Sequence, residues 1–510
     1  MAYRVRTMLA GAAALAWGAM APAAWHEARS KHFIIYANDS PDRLERYTER
    51  VERFDAAVRT ALHIADRPLT DSSRLTIFVV GNEAMIERMA GRGAAGFYAS
   101  RASGSVAFVP RLPGAQDDNF NQAIFFHEYA HHLQLQNSSA AMPAWVVEGF
   151  AEFLATAIVE KDGAVLIGSA PEYRAYSLAL NHGPPVDQIV AGTYGKLDLA
   201  DLSGLYAKAW ALTHYLTFDP ARKGQLDRYL AAIQQGRPAS QAATAAFGDL
   251  KALRKDLDRY VVNRIFGVRI RPEALAIAPA TLRALGAGEA AIMPIRIRSQ
   301  GGVDSKAAPA VALDARKVAA AYPADPAVQT ALAEANYDAQ DYGGADAAAD
   351  RALAARPADV HSLIYKGRAQ MKLAQAKAGG SDWNGARQWF LKANRADPEN
   401  AEALMLFYQS FKEAGQKPTT NAVDGLLFSV ALAPRDGALR MMAVRELLLE
   451  GRATDAKEFF APIAIAPHAS DKSRDRNARI MAAITAGDTA GALRLLDEKV
   501  DKAGSPASTN

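Results

Sequence analysis

The second half of the chain is phased by proline. Pro323 and Pro357 stand 34 residues apart, and from Pro398 the spacing continues through Pro434 and Pro467 at 36 and 33. Proline seldom sits inside a helix, so a regular interval of this size divides alanine-rich sequence into short two-helix units. Such a unit cannot bury its apolar face alone, and a stack of units has to follow. Residues 306–510 are therefore expected to form an all-α helical-repeat domain.

Two of these units share a register. Ala345, Ala349 and Ala352 precede Pro357 at the same offsets at which Ala386, Phe390 and Ala393 precede Pro398. That register resembles the second helix of the tetratricopeptide repeat, and the resemblance implies a surface for a protein partner. Around Pro434 and Pro467 the period persists while the flanking residues depart from it, which leaves an alanine-rich helical bundle as the alternative arrangement.

The first half is punctuated differently. His32–Ala37 (HFIIYA), Arg74–Val80 and Ser105–Val109 are rich in β-branched and aromatic residues and are expected to be strands. Between the first two, Leu44, Tyr47, Val51, Phe54 and Val58 recur at helical spacing within Pro41–His63. Residues 25–115 are thus expected to form a small mixed α/β lobe and 116–266 a mainly helical lobe. Residues 267–305, broken by Pro272, Pro279, Pro294 and the Gly301-Gly302 pair, read as a bridge with a short strand at Pro294–Ile297.

Arg4 and Arg6, the apolar run Met8–Met20 and the small residues of Ala21-Pro22-Ala23-Ala24 read as a secretory signal peptide over residues 1–24. The run is 13 residues long, short of the roughly 20 that span a bilayer. A periplasmic or secreted bacterial protein is expected, with no stable membrane span after cleavage. Net charge is +4, with Arg4 and Arg6 in the leader, too little to point to nucleic acid. With 0 cysteines, any metal has to be held by histidine and carboxylate.

The chemistry is concentrated in Phe125-Phe126-His127-Glu128-Tyr129-Ala130-His131-His132. His127 and His131, four residues apart, project from one helix face about 40° apart, close enough for one metal ion to take both imidazoles. Glu128 lies beside the pair, placed to act on a water as general base without being a ligand. With this composition, H-acid-x-x-H arises by accident about 0.02 times per chain. Two imidazoles demand a third protein ligand. Past Pro143 comes Trp145-Val146-Val147-Glu148-Gly149-Phe150-Ala151-Glu152, where Glu148 can complete a His-His-Glu set with one position open. Glu152, one turn on, can orient a ligating imidazole through its second ring nitrogen. Zn2+ suits this donor set best, with cobalt or manganese able to take the same ligands.

H-E-Y-A-H followed by W-x-x-E-G-F-A-E resembles the gluzincin zinc metallopeptidases, in particular the peptidase MA-like family. The resemblance implies an α+β metallopeptidase fold over residues 25–266, with Glu128 as the base and His127, His131 and Glu148 as the zinc ligands. It extends to Tyr206-Ala207-Lys208-Ala209, similar to the aminopeptidase segment Y-x-K-G, and so implies that Tyr206 stabilises the oxyanion, although Ala209 replaces glycine. The G-x-M-E-N segment that grips a free N-terminus is missing, so the expected activity is that of an endopeptidase on peptide or protein substrates. The rival expectation is a repeat-based binding scaffold with an inactive metallopeptidase lobe.

Other residues carry plainer expectations. His132 is expected to pack or face solvent, His214 to be an ordinary half-buried histidine, and Trp145, Phe150 and Phe153 to be core; Tyr98 reaches the cleft only if its strand borders the metal. Because the motifs are complete without the repeats, the first 302 residues are expected to fold and hold metal alone, against the alternative that the repeats buttress the lobe.

Overall fold

The computed structural model describes residues 25–90, 96–110, 119–136, 142–263, 265–376, 382–464 and 471–498. The expected signal peptide and Pro467 lie outside them. Strands β1 (Trp25–Arg29), β2 (Phe33–Asn38), β3 (Leu75–Val79), β4 (Phe97–Ala99) and β5 (Val106–Val109) alternate with α1 (Pro41–Leu62) and α2 (Glu83–Ala90). β2, β3 and β5 pair in parallel; β1 and β4 are antiparallel to β2 and β5.

The apolar run of β2 is continuous because both sheet faces are covered. Phe33 and Ile35 face α1, whose Leu44, Tyr47, Val51, Phe54 and Val58 form the stripe read from the sequence. α1 starts where Ser40 accepts from the Arg43 N–H with Pro41 at the first turn, and ends at His63 in the left-handed region (φ 54°). Ile34 and Tyr36 point to the opposite face with Phe78 and Phe108.

That opposite face is closed by residues expected to be a bridge. β9 (Thr281–Ala284) pairs antiparallel with β1, Glu27 opposite Arg283, and makes the sheet order β4-β5-β3-β2-β1-β9. Pro294–Ile297 is not a strand: it lies inside a helix, α11 (Ala287–Gly301), which buries Met293 and Ile297 on the sheet. Pro294 is on the exposed side of α11, so the carbonyl deprived of its helix partner is near water.

The expected helical lobe consists of α3 (Asn119–Gln136), α4 (Ala144–Ala155), α5 (Ala175–Ala179), α6 (Val186–Ala191), α7 (Leu199–Phe218), α8 (Gln225–Gln234), α9 (Ala239–Phe247) and α10 (Leu250–Val261). A three-stranded antiparallel sheet of β6 (Ile158–Val159), β7 (Val165–Ile167) and β8 (Val268–Ile270) is attached to it.

The chain then continues as helical hairpins: α12 (Ala308–Ala321), α13 (Pro326–Asp338), α14 (Tyr342–Ala355), α15 (Val360–Ala376), α16 (Trp383–Ala396), α17 (Ala401–Glu413), α18 (Thr420–Leu432), α19 (Gly437–Leu449), α20 (Ala453–Ala464), α21 (Asp471–Thr485) and α22 (Thr489–Asp497). Neighbouring helices pack in sequence, as stacked repeats do. Ala345, Ala349 and Ala352 of α14, and Ala386, Phe390 and Ala393 of α16, are all buried.

This array is docked on the α/β lobe. Asp436 accepts from the Ala102 N–H at 2.9 Å, and Ala102 is buried among Ala401, Tyr408, Val430 and Leu439. Arg101 donates to the Gln300 carbonyl at 2.9 Å. Between α16 and α17, Glu399 pairs with Arg67 at 2.9 Å, Asp397 accepts from the Ser72 N–H at 3.2 Å, and Asn400 donates to the Ser72 hydroxyl at 2.8 Å.

Candidate metal centre

α3 can be apolar on nearly every side because it runs through the middle of the lobe. Phe126 stacks on Phe54 of α1 with centroids 3.7 Å apart, and Tyr129 donates to Asp55 of α1 at 2.7 Å. Asp55 also pairs with Arg59 at 2.7 Å and with His32 at 3.2 Å, while His32 bonds Glu52 at 2.7 Å. This buried network was not legible in the sequence, since its members come from the bend before β2, from α1 and from α3. It clamps α3 to the sheet on the side away from His127.

α4 crosses α7 closely enough to require a glycine. A Cβ at Gly149 would stand 2.5 Å from both the Ala209 carbonyl oxygen and the Thr213 hydroxyl. Gly149→Ala is therefore expected to cost about 1–3 kcal/mol by overpacking and to displace Glu148, weakening metal binding. Thermal melting with and without added zinc checks this; an unchanged zinc affinity refutes it.

Helices α3 and α4 bring His127, His131 and Glu148 together, all buried. His127 Nε2 lies 3.1 Å from His131 Nε2, and Glu148 Oε2 lies 3.5 Å and 3.6 Å from these nitrogens. A tetrahedral ion with bonds of about 2.0–2.2 Å holds its ligand atoms about 3.3–3.6 Å apart. The three atoms thus converge close to the spacing one such ion requires, and two imidazoles with a carboxylate form a set that could hold a divalent metal ion.

On the other ring nitrogen of His127, Glu152 Oε1 stands at 3.5 Å, and Glu152 is held in turn by Arg174 at 2.6 Å and by the Tyr173 hydroxyl at 3.1 Å. Arg174 also lies 5.3 Å over the ring of Tyr206. Neither Tyr173 nor Arg174 carries a motif signal. Burial opposes charge on His127, but Glu148, Glu152 and Glu128 push it up to about 8. Burial lowers His131, with Glu148 only partly opposing. A metal ion has to displace protons here, so affinity should fall as pH drops below about 8.

Glu128 is buried beside His127 and lines a small pocket with Tyr98. The Tyr206 ring lies 6.5 Å from that of His127; burial first, then Glu148 and Glu152, raises its pKa, so it remains an O–H donor at neutral pH. Lys208 turns away and donates to the Asn181, Gly183 and Pro184 carbonyls, a structural tie. His214 is buried between the Tyr260 hydroxyl, 2.7 Å, and the Gly168 carbonyl, 3.1 Å. His132 packs against Tyr129 and hydrogen-bonds the Tyr98 hydroxyl at 2.8 Å, which places edge strand β4 next to α3.

No family model and no curated protein matches the chain. Among solved structures, a thermophilic TPR protein from Thermus thermophilus is 18% identical, over 37% of this chain and 95% of that one, with a TM-score of 0.31, a loose likeness.

Proposed function

We propose that the chain is an exported zinc metallopeptidase that hydrolyses internal peptide bonds. The observation carrying this reading is the buried convergence of His127 Nε2, His131 Nε2 and Glu148 Oε2 with Glu128 beside it. Zinc, when bound by these three residues, supplies Lewis acidity toward a carbonyl oxygen and brings the pKa of water down to about 7. Glu128 takes the proton from the attacking water and returns it to the leaving nitrogen. Tyr206 donates its O–H to the developing oxyanion, a contribution of about 3 kcal/mol for a well-placed donor. Arg174 and Tyr173 hold Glu152 against His127 and so fix the ring orientation.

Export rests on residues 1–24; no described helix is long and apolar enough to cross a membrane. A scaffold with an inactive lobe is less well supported, because the α/β lobe itself occupies repeat surface at Asp436, Glu399 and Asn400. A partner, if the repeats take one, has to use what remains.

The expected result for purified full-length protein is about one zinc per chain and cleavage of a complex peptide mixture, abolished by chelation and restored by zinc. Metal-independent cleavage, or bound zinc with no cleavage of any peptide, rejects the peptidase reading.

A further inference from the structure

A cleft of about 260 Å³ lies between the α11 side of the six-stranded sheet and the first repeats, with walls from β1, β2, β3, α11, α13, α15 and the turn between α14 and α15. None of His127, His131, Glu148 and Glu128 lines it. At its mouth Arg356 is exposed and the His361 side chain is 34% exposed, so a solute can enter. The volume is just under the range of about 300–1,000 Å³ that takes drug-sized molecules. A smaller ligand fits it.

Most of the charge on these walls is cancelled in place. Glu27 pairs with Arg29 and with Arg283, each at 2.8 Å, Asp71 with Arg29 and with Arg74, each at 2.8 Å, and Glu289 with Arg283 at 2.7 Å. Glu334 takes His361 at 3.1 Å and the Gln300 amide at 2.8 Å, while Asp359 accepts from the Ser362 N–H at 2.9 Å. Every carboxylate of the cleft thus has its partner.

Two of its arginines do not. Among the described residues, Arg296 and Arg356 are in no ion pair, and both line the cleft. Arg296 is half-buried in α11, its guanidinium carbon 4.6 Å over the ring of Tyr36 and 5.6 Å over that of Phe78. Glu334 and Glu289 act on it by charge alone, and the Tyr36 hydroxyl serves it as an acceptor. Two aromatic rings engage the face of a guanidinium, and the fork of N–H donors along its edge suits a carboxylate or a phosphate. Arg356 brings a second cation from the repeat side, at the end of α14. Cations focused in a cleft with low-dielectric walls concentrate anions there.

We propose that this cleft binds a small molecule bearing a carboxylate or a phosphate, held by the N–H edge of Arg296 and drawn in by Arg356. Because the walls come from the lobe and from the repeats, the ligand bridges the two and strengthens their docking. The inference stands apart from the peptidase reading and needs no metal.

The test is calorimetric titration of the full-length protein with succinate and with inorganic phosphate, against sodium chloride at the same ionic strength. One of the two anions should bind saturably at one per chain, with Kd about a millimolar or tighter, and should raise the melting temperature as it saturates. Which anion does so identifies the group recognised. Arg296→Met keeps an apolar stem on Tyr36 and Phe78 and should weaken binding by about ten- to hundred-fold, the effect of losing charge-assisted hydrogen bonds. Arg356→Met, at an exposed position, should keep the unliganded melting temperature and weaken binding less; it decides the matter if Arg296→Met does not fold. No saturable binding of either anion overturns the inference, as does binding that both variants leave unchanged, which would place the anion elsewhere. Binding of hexaglutamate without binding of either small anion overturns it too, since the cleft would then serve an acidic peptide.

Discussion

Glu128→Gln is expected to lower turnover by about a thousand-fold or more while leaving zinc near one per chain. General-base catalysis contributes about 10²–10⁴, and the amide, close in size to the carboxylate, cannot take a proton from water. Glu128 is outside the converging set of His127, His131 and Glu148, so metal content should not follow activity. The buried contacts of α3 with α1, Phe126 on Phe54 and Tyr129 on Asp55, do not involve it, so the fold should be kept. Metal analysis beside single-turnover cleavage checks the point. Cleavage within ten-fold of wild type would show that another group takes the proton. His127→Ala makes the contrast, because there metal and activity should disappear together.

The second large effect is expected from ending the chain at Gly302. The motifs survive that cut, yet the geometry argues that the lobe does not. Ile292 and Ile295 of α11 are buried against Val311, Ala312 and Leu332 of the repeats, and a fully buried aliphatic side chain loses about 1.5–3 kcal/mol on exposure. Arg101 would lose the carboxylates of Glu334, Asp436 and Glu402 that surround its charge. The bonds from Ala102 and Ser72 to Asp436 and Asp397 go as well. Against a net stability of about 5–15 kcal/mol for an ordinary domain, these losses are of the same order. The shortened chain is expected to melt without a sharp transition or to be insoluble, as the buttressing alternative requires. A cooperative melt that moves upward with zinc would instead show that the lobe stands alone.

What could be read from the sequence is what depends on residues close together along the chain. His127 and His131 share a helix face because a helix repeats every 3.6 residues, and the stripe of α1 follows from the same rule. The 34-residue interval between Pro323 and Pro357 sets the rhythm of the helical hairpins, each of which touches mainly its neighbours. The continuous apolar run of β2 announced a strand, although not which elements cover its two faces.

Only tertiary structure decided the remainder, because the partners are far apart in sequence. β9 is a strand because Arg283 comes opposite Glu27, and Arg283 and Glu27 then pair at 2.8 Å. Pro294 sits in a helix because α11 is held by its buried face on the sheet and keeps the proline toward solvent. Glu152 was visible one turn beyond Glu148, but the arginine and tyrosine that hold it come from Glu172–Arg174, a short turn without periodicity. The most distant case is Arg435, whose position over the ring of Tyr98 follows from the docking of the repeats through Asp436 and Ala102. Local periodicity writes itself into composition and spacing, whereas contact between distant segments depends on three-dimensional packing that no local window contains.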